Sequence, residues 1–403
     1  MHASYLRDLE TAPFFPTPGL LTNFLAGVLL VFVASSAAFA SEHSLFDLGI
    51  PEGYAASKAY DINDKGQVVG SLSDGTNMRG FIWDAASGMQ ILSGGETGSG
   101  WATAINNNGW IAGRWNNIAA LWQGSSSAPV PLGTLGGLTS TAFKINDNNQ
   151  ISGYSDLAYN AKLKCNPFHG FIYEFGRMTD IATLTDSWGA DSPYGVNYDN
   201  GYSFAYGINN LGEIAGVGTT DSFANDAFIR NADGSKIDLG LGPDPLSLQA
   251  SAVAINDAGL VGGHYCDSSR NSHPVIWEAG SVDAAALTMP EQFPYGQVYG
   301  INEKGSVVGI MWNDKSGPYH AFLYDPTHGV RDLNDLIPAE SGWVLNYAKG
   351  INESGQISGY GLFNGRTTGF VLNSTPEPIS SALFLLGGAA IGWRKFRRRK
   401  AAA

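Results

Sequence analysis

Between residues 44 and 373 the hydrophobic positions fall in short runs of β-branched and aromatic residues, broken by turns of Gly, Asn and Asp, with no stretch that keeps a helical period. This pattern predicts many short strands. A repeat, I-N-x-x-G-x-I/V-x-G, orders them, with copies starting at Ile62, Ile105, Ile145, Ile208, Ile255, Ile301 and Ile351. The third copy carries Asn149 in place of the first glycine. Three residues before the isoleucine stands an alanine in six copies (Ala59, Ala102, Ala142, Ala205, Ala252, Ala348) and Val298 in the other. The asparagines Asn63, Asn106, Asn146, Asn209, Asn256, Asn302 and Asn352 are 43, 40, 63, 47, 46 and 50 residues apart, which is the spacing of a repeat architecture.

Each copy reads as a hairpin. In the first, a strand Ala59-Tyr60-Asp61-Ile62 enters the turn Asn63-Asp64-Lys65-Gly66 and returns as Gln67-Val68-Val69-Gly70. The asparagine opens the turn by bonding to its own backbone, and the glycine, or Asn149, supplies the left-handed φ that closes it. A small-then-apolar run follows in every copy: Gly80–Trp83, Ala120–Trp122, Gly170–Tyr173, Ala227–Ile229, Pro274–Trp277, Ala321–Tyr324 and Gly369–Leu372. These predict third strands. Short apolar segments after six of them (Met89–Leu92, Val130–Leu132, Met178–Ile181, Ile237–Leu239, Ala285–Leu287, Val330–Leu333) predict fourth strands.

The seventh copy lacks a fourth strand, but Ser44-Leu45-Phe46-Asp47-Leu48-Gly49, ahead of the first hairpin, matches the fourth-strand type of Lys236–Gly240. An N-terminal strand that completes the last unit leaves no open edge. The expected fold is therefore all-β: a seven-bladed β-propeller closed by its N-terminal strand, with an open repeat array as the alternative.

The two ends differ from the body. Leu20 to Ala40 has an apolar centre at Phe24 to Val33 and closes on Ala38-Phe39-Ala40, which predicts a signal segment over 1–40 cleaved before Ser41. The residues before Leu20 are long and acidic for an n-region, with Asp8 and Glu10 against Arg7, which leaves an uncleaved anchor as the alternative. At the other end, Thr375-Pro376-Glu377-Pro378 precedes the apolar run Ile379 to Trp393 and the basic cluster Arg394, Lys395, Arg397, Arg398, Arg399 and Lys400. As a transmembrane helix that run would span about 22 Å, short of the roughly 30 Å hydrocarbon core. The basic cluster would hold its end on the cytoplasmic side. The prolines keep Glu377 extended and open to a processing enzyme.

This tail, residues 374–403, resembles the PEP-CTERM sorting signal of Gram-negative bacteria. The resemblance implies Pro376, Glu377 and Pro378 as the recognition site of an exosortase-type membrane enzyme, Arg394, Lys395 and Arg397 to Arg399 as the retention cluster, and an extracellular polysaccharide nearby. The segment His320-Ala321-Phe322-Leu323-Tyr324, with the I-N-x-x-G hairpins, resembles the HAF extracellular repeat. That resemblance spans most of the 41–373 repeat domain and implies no particular activity.

Composition agrees with an exported β-protein: 52 glycines, 12% aromatic and 15% charged residues. The net charge is −13, and residues 41–376 carry 33 acidic against 16 basic side chains, about −17. An acidic body excludes nucleic acid as a partner, since phosphate binding needs a cationic face. Cys165 and Cys266 either form one disulfide or stay reduced.

Candidate chemistry in the body is sparse. No G-x-S-x-G is present. His169, His273 and His320 each open a third strand, but Arg79, Asp226 and Thr368 fill the same position elsewhere and no paired ligand spacing accompanies them, so no metal or other cofactor is expected. Lys65 stands where a calcium loop needs a ligand. Between the third and fourth hairpins, Trp188 and Tyr194 lie among Asp and Asn residues, a composition suited to stacking on sugar rings. The expected function is a non-catalytic surface or matrix protein of the cell envelope that binds or scaffolds exopolysaccharide and is membrane-anchored before processing. A glycan hydrolase or lyase using two of Asp186, Asp191 and Asp199 is the alternative.

Overall fold

A computed structural model describes residues 44–94, 98–160, 166–184, 201–220 and 224–373. These belong to one compact unit, His43–Thr375. The signal segment, Trp188, Tyr194, Asp186, Asp191, Asp199, Cys165 and the tail with Pro376, Glu377, Pro378 and its basic cluster lie outside the described residues. Among the described residues no helix is long and apolar enough to cross a membrane, and the one helical element is a 3-10 turn, Leu333–Leu336.

The protein is all-β and built from four-strand sheets. In the first repeat Ala56–Ile62, Val68–Ser73, Met78–Asp84 and Gly88–Ile91 pair antiparallel in chain order. The other repeats follow the same order. The fourth and fifth, Ser203–Gly240 and Gln249–Ala286, form one eight-stranded sheet through a single parallel contact of Asn225 with Gln249. The last sheet takes Trp343–Ile351, Gln356–Phe363 and Arg366–Asn373 from the C-terminal repeat and Leu45–Asp47 from the N-terminus. There Leu45, Phe46 and Asp47 lie opposite Leu372, Val371 and Phe370. Further bonds extend the pairing at both ends, Leu48 N to Gly369 O at 3.0 Å and Asn373 N to Ser44 O at 2.9 Å.

Packing between sheets explains the small residue of the motif. Ala59, Ala102, Ala142, Ala205, Ala252, Val298 and Ala348 are fully buried, as are the third-strand rings Phe81, Phe171, Phe228, Phe322 and Phe370. In the second and fifth repeats the third strand offers Ala120 and Val275 instead, and the buried indoles of Trp122 and Trp277 supply the bulk. Buried serines add polar staples. Ser57, Ser140 and Ser203 donate to Gly49 O, Gly133 O and Ala182 O, and accept from the N–H groups of Gly369, Ala119 and Gly170.

The first strand of every repeat is interrupted at one common place, and those of the third and seventh repeats have a second shift earlier. Pairing with the second strand slips at Tyr60, Thr103, Phe143, Tyr206, Val253, Tyr299 and Lys349, one residue after the buried alanine or Val298. These are β-bulges, which bend a strand and re-aim a side chain. The bulge brings the two strands so close that a Cβ at the facing glycine, Gly70 or Gly359 for example, would overlap the carbonyl oxygen of Lys58 or Tyr347. The final glycine of the motif is a steric requirement of the bulge.

If Leu45–Asp47 completes the last sheet, a mature chain beginning at Ile50 leaves Arg366–Asn373 as an open edge and removes the buried Leu48 from the cluster it forms with Ala59 and Val371. It is expected to lose at least about 2 kcal/mol in urea denaturation, the worth of one buried leucine, and to self-associate through the bare edge.

Candidate functional site

The hairpin turns of all seven repeats converge on one pocket of about 180 Å³, lined in each repeat by the motif isoleucine and its neighbours. Two hydrogen-bonded circuits surround it. In each repeat the motif asparagine accepts from its own turn, as Asn63 Oδ1 does from the N–H groups of Lys65 and Gln67. Its amide then donates to the carbonyl of the next motif asparagine. Asn63 reaches Asn106 O at 3.0 Å, Asn106 reaches Asn146 at 2.9 Å, Asn146 reaches Asn209 at 2.8 Å, and Asn209 reaches Asn256 at 3.0 Å. Asn256 to Asn302 (3.1 Å), Asn302 to Asn352 (3.2 Å) and Asn352 back to Asn63 (3.0 Å) complete the circuit.

The second circuit uses the next residue along, Asp64, Asn107, Asp147, Asn210, Asp257, Glu303 and Glu353. The backbone N–H of each donates to the side-chain oxygen of the next, at 2.7 to 2.9 Å, and Glu353 returns to Asp64. Five carboxylates and two carboxamides therefore rim the pocket. Burial, then the charges of Asp257 and Glu353, raise the Glu303 carboxyl above its usual range against its hydrogen bonds to backbone N–H groups.

Inside the rim the strands crowd together. A Cβ at Gly207, Gly300 or Gly350 would lie 2.9, 3.1 or 3.0 Å from Val253 O, Lys349 O or Asp61 Oδ1. Across this throat Lys144 Nζ meets Asp61 Oδ1 at 2.7 Å, and Asp61 Oδ2 accepts from Ile105 N–H. The seven bulged side chains follow, all half-buried. On one side Phe143 stacks on Tyr206 (5.3 Å) and Tyr206 on Phe204 (5.3 Å), continuing through Tyr154, Phe168 and Tyr202. Elsewhere Tyr347 stacks on Tyr360 at 4.5 Å, and Lys349 Nζ sits 3.1 Å from the Tyr299 ring centroid. Burial, with neighbouring phenols, pushes Tyr206, Tyr299 and Tyr360 up, so they stay protonated and able to donate. Burial, then Lys58 and Lys144, lowers Lys349 to about 7.

The three histidines do not converge. His169 binds Asp180 at 2.9 Å, His273 binds Asp267 at 3.1 Å and His320 binds Asp332 at 2.5 Å, each within its own repeat. Among the described residues no group of three or more His, Cys, Asp or Glu side chains is placed to hold a metal. In the fourth repeat Asp226 and Asp238 occupy the positions held by His169 and Asp180 in the third. Burial, then the Asp238 charge, raises Asp226 to about 6, and its Oδ1 has no hydrogen-bond partner. Cys266 Sγ accepts from Gln249 Nε2 at 3.4 Å, while Cys165, and with it any pairing, lies outside the described residues.

The rim and the bulges are absent from the sequence-derived site residues. Their signal is present all the same. The residue after the motif asparagine is Asp, Asn or Glu in all seven copies, and the residue two before the motif isoleucine varies within a constant frame.

Comparison with known proteins finds a family model described as Protein of unknown function (DUF3466), matching residues 228–368. No curated protein matches the chain. The solved structures it resembles are β-propeller proteins. A putative TolB from Agrobacterium tumefaciens shares 11% identity, with 68% of this chain and 89% of that one covered and a TM-score of 0.40. The β-propeller domain of the Trilobed protease from Pyrococcus furiosus shares 12%, covering 80% and 85%, with a TM-score of 0.39. An acylaminoacyl peptidase shares 12%, covering 82% of this chain and 54% of the peptidase, with a TM-score of 0.48. The chain spans about half the length of that enzyme.

Two measurements follow. Asn302→Ala strands the Ser306 N–H and leaves the Asn352 carbonyl with the Gly355 N–H alone, and is expected to cost roughly 1–3 kcal/mol in urea denaturation. Asn302→Asp keeps the turn acceptor but turns the donor into a charged acceptor facing the Asn352 carbonyl, so it is expected to destabilise at neutral pH although the turn bond is retained. The raised Asp226 means that folding opposes its ionisation, a penalty absent below pH 4 that grows between pH 4 and about 6 and is constant above. Asp226→Asn is expected to raise the thermal midpoint at pH 7, with the gain vanishing toward pH 4.

Proposed function

We propose that the body is a seven-bladed β-propeller, and that the protein is an exported, non-catalytic binding or scaffolding component of the cell surface or extracellular matrix. The single observation that best supports the reading is the bulge layer: seven side chains of different chemistry (three tyrosines, Thr103, Phe143, Val253, Lys349) presented by seven copies of one rigid frame. Such a division, invariant support and variable lining, suits recognition of a ligand. The Asn352-to-Asn63 bond and the pairing of Leu45–Asp47 with Arg366–Asn373 support closure into a ring.

Export and sorting rest on the sequence at the two ends. In this reading the chain is cleaved before Ser41, held briefly in the membrane by Ile379 to Trp393, and processed at Pro376-Glu377-Pro378 by an exosortase-type enzyme, with Arg394 to Arg399 retaining it until then. Its partner is an exopolysaccharide, for which the half-buried aromatic rings around Phe204 and Tyr347 offer stacking faces.

The intact mass of the protein from envelope and medium fractions tests the reading. It is expected to begin at Ser41 and end near Pro376 to Pro378, and Glu377→Ala is expected to abolish that C-terminus. A wild-type mass that retains Arg394 to Ala403 would instead establish a permanent anchor and remove the sorting step.

A further inference from the structure

The bulge layer holds one charged side chain, Lys349, and its surroundings are unusual for an ammonium. Nζ lies 3.1 Å from the Tyr299 ring centroid and 5.6 Å from that of Tyr347. Tyr347 stacks on Tyr360, and a second lysine, Lys58, lies with Nζ 5.1 Å from the Tyr360 ring centroid. Neither lysine has a carboxylate within ion-pair distance among the described residues, whereas Lys144 is neutralised by Asp61 at 2.7 Å. An ammonium drawn largely out of water without a counter-ion is costly, although the body has about 17 negative charges in excess.

From this cluster we propose that Lys349 and Lys58, with Tyr299, Tyr347 and Tyr360, form a binding site for the carboxylate of an acidic sugar, a uronic-acid unit of a polysaccharide. The ammonium groups supply the charge that such a carboxylate needs. The tyrosine faces suit the apolar face of a pyranose ring, and the Tyr347 and Tyr360 hydroxyls, held protonated by burial, donate to its oxygens, while the Tyr299 hydroxyl donates to Gln297 Oε1. A free inorganic anion uses the charge and leaves the rings idle; a neutral sugar uses the rings and leaves the charge unpaired.

The groups facing Lys349 also fix the pH response. Lys58 and Tyr60 come from the first repeat, Lys144 from the third, Tyr299 from the sixth, and Tyr347 and Tyr360 from the seventh. Burial raises Tyr60, Tyr299, Tyr347 and Tyr360, so they do not ionise near neutrality. Lys349, lowered to about 7, does lose its proton there.

The site rests on the polysaccharide-binding reading, and the experiment separates the two. Titration calorimetry on the purified protein would use galacturonic acid and its trimer, the galactose trimer, and acetate. The galacturonate trimer is expected to bind, and to weaken by at least about tenfold between pH 6 and pH 8.5 as Lys349 deprotonates. Lys349→Met is expected to weaken it at least about tenfold and to flatten the pH profile. Because the substitution removes an unpaired buried charge, its denaturation midpoint should hold or rise, which distinguishes loss of a site from loss of the fold. Equal binding of the galactose and galacturonate trimers would overturn the acidic-sugar site while leaving polysaccharide binding standing. Acetate binding as tightly as galacturonate would reduce it to an anion site and overturn the sugar class. Binding of none of these probes, or galacturonate binding unchanged in Lys349→Met, would overturn the site outright.

Discussion

Everything in the body hangs on one primary amide used twice. The motif asparagine closes its own turn with its oxygen and reaches the next turn with its nitrogen, so local and long-range order are made by the same side chain. Neither aspartate nor glutamine serves: the first lacks the donor, and the second carries an extra methylene that spoils the turn. The asparagines are buried, so a missing partner would leave a desolvated polar group. Because the last one bonds to the first, no end of the circuit is left exposed.

The bulge is the second constraint, and it separates support from lining. Before it, the alanine or Val298 is buried between sheets and has little freedom of size. After it, the residue before the isoleucine is squeezed in the throat, which is why glycine stands there in three repeats. The bulged residue between them belongs to neither packing surface. Tyr, Thr, Phe, Val and Lys all occur there without disturbing the frame, and these positions, with neighbours such as Phe204, Tyr360 and Lys58, give the interior its aromatic and cationic character.

Much of the architecture was legible because the motif is a direct record of backbone geometry. Left-handed turns demanded Gly66 or Asn149, and their φ values of +74° and +63° are those of the same turn. The strand Ser44–Gly49 could be assigned to the far end of the chain because its apolar pattern matched Lys236–Gly240. Strand lengths were less legible: Ala56 to Lys58 extend the first strand beyond the predicted Ala59, since pairing with Ser71 to Ser73 of the second strand continues where the motif stops. The site was hidden for a different reason. Repeat analysis draws attention to what stays constant, while Lys349, Tyr299 and Tyr206 are the positions that change. The rim was hidden by degeneracy, because Asp, Asn and Glu all offer the same accepting oxygen to the next backbone N–H.

The circuit joins turns separated by 40 residues and by 63 residues with bonds of 2.9 and 2.8 Å. Spacing along the chain therefore has no bearing on spacing around the circuit. Loops between the repeats are free to lengthen without altering the register of the strands, and the longest of them, between Asn146 and Asn209, has done so. Such a scaffold accepts insertions as appendages, so new recognition surfaces can be grafted onto its periphery while the interior keeps its shape.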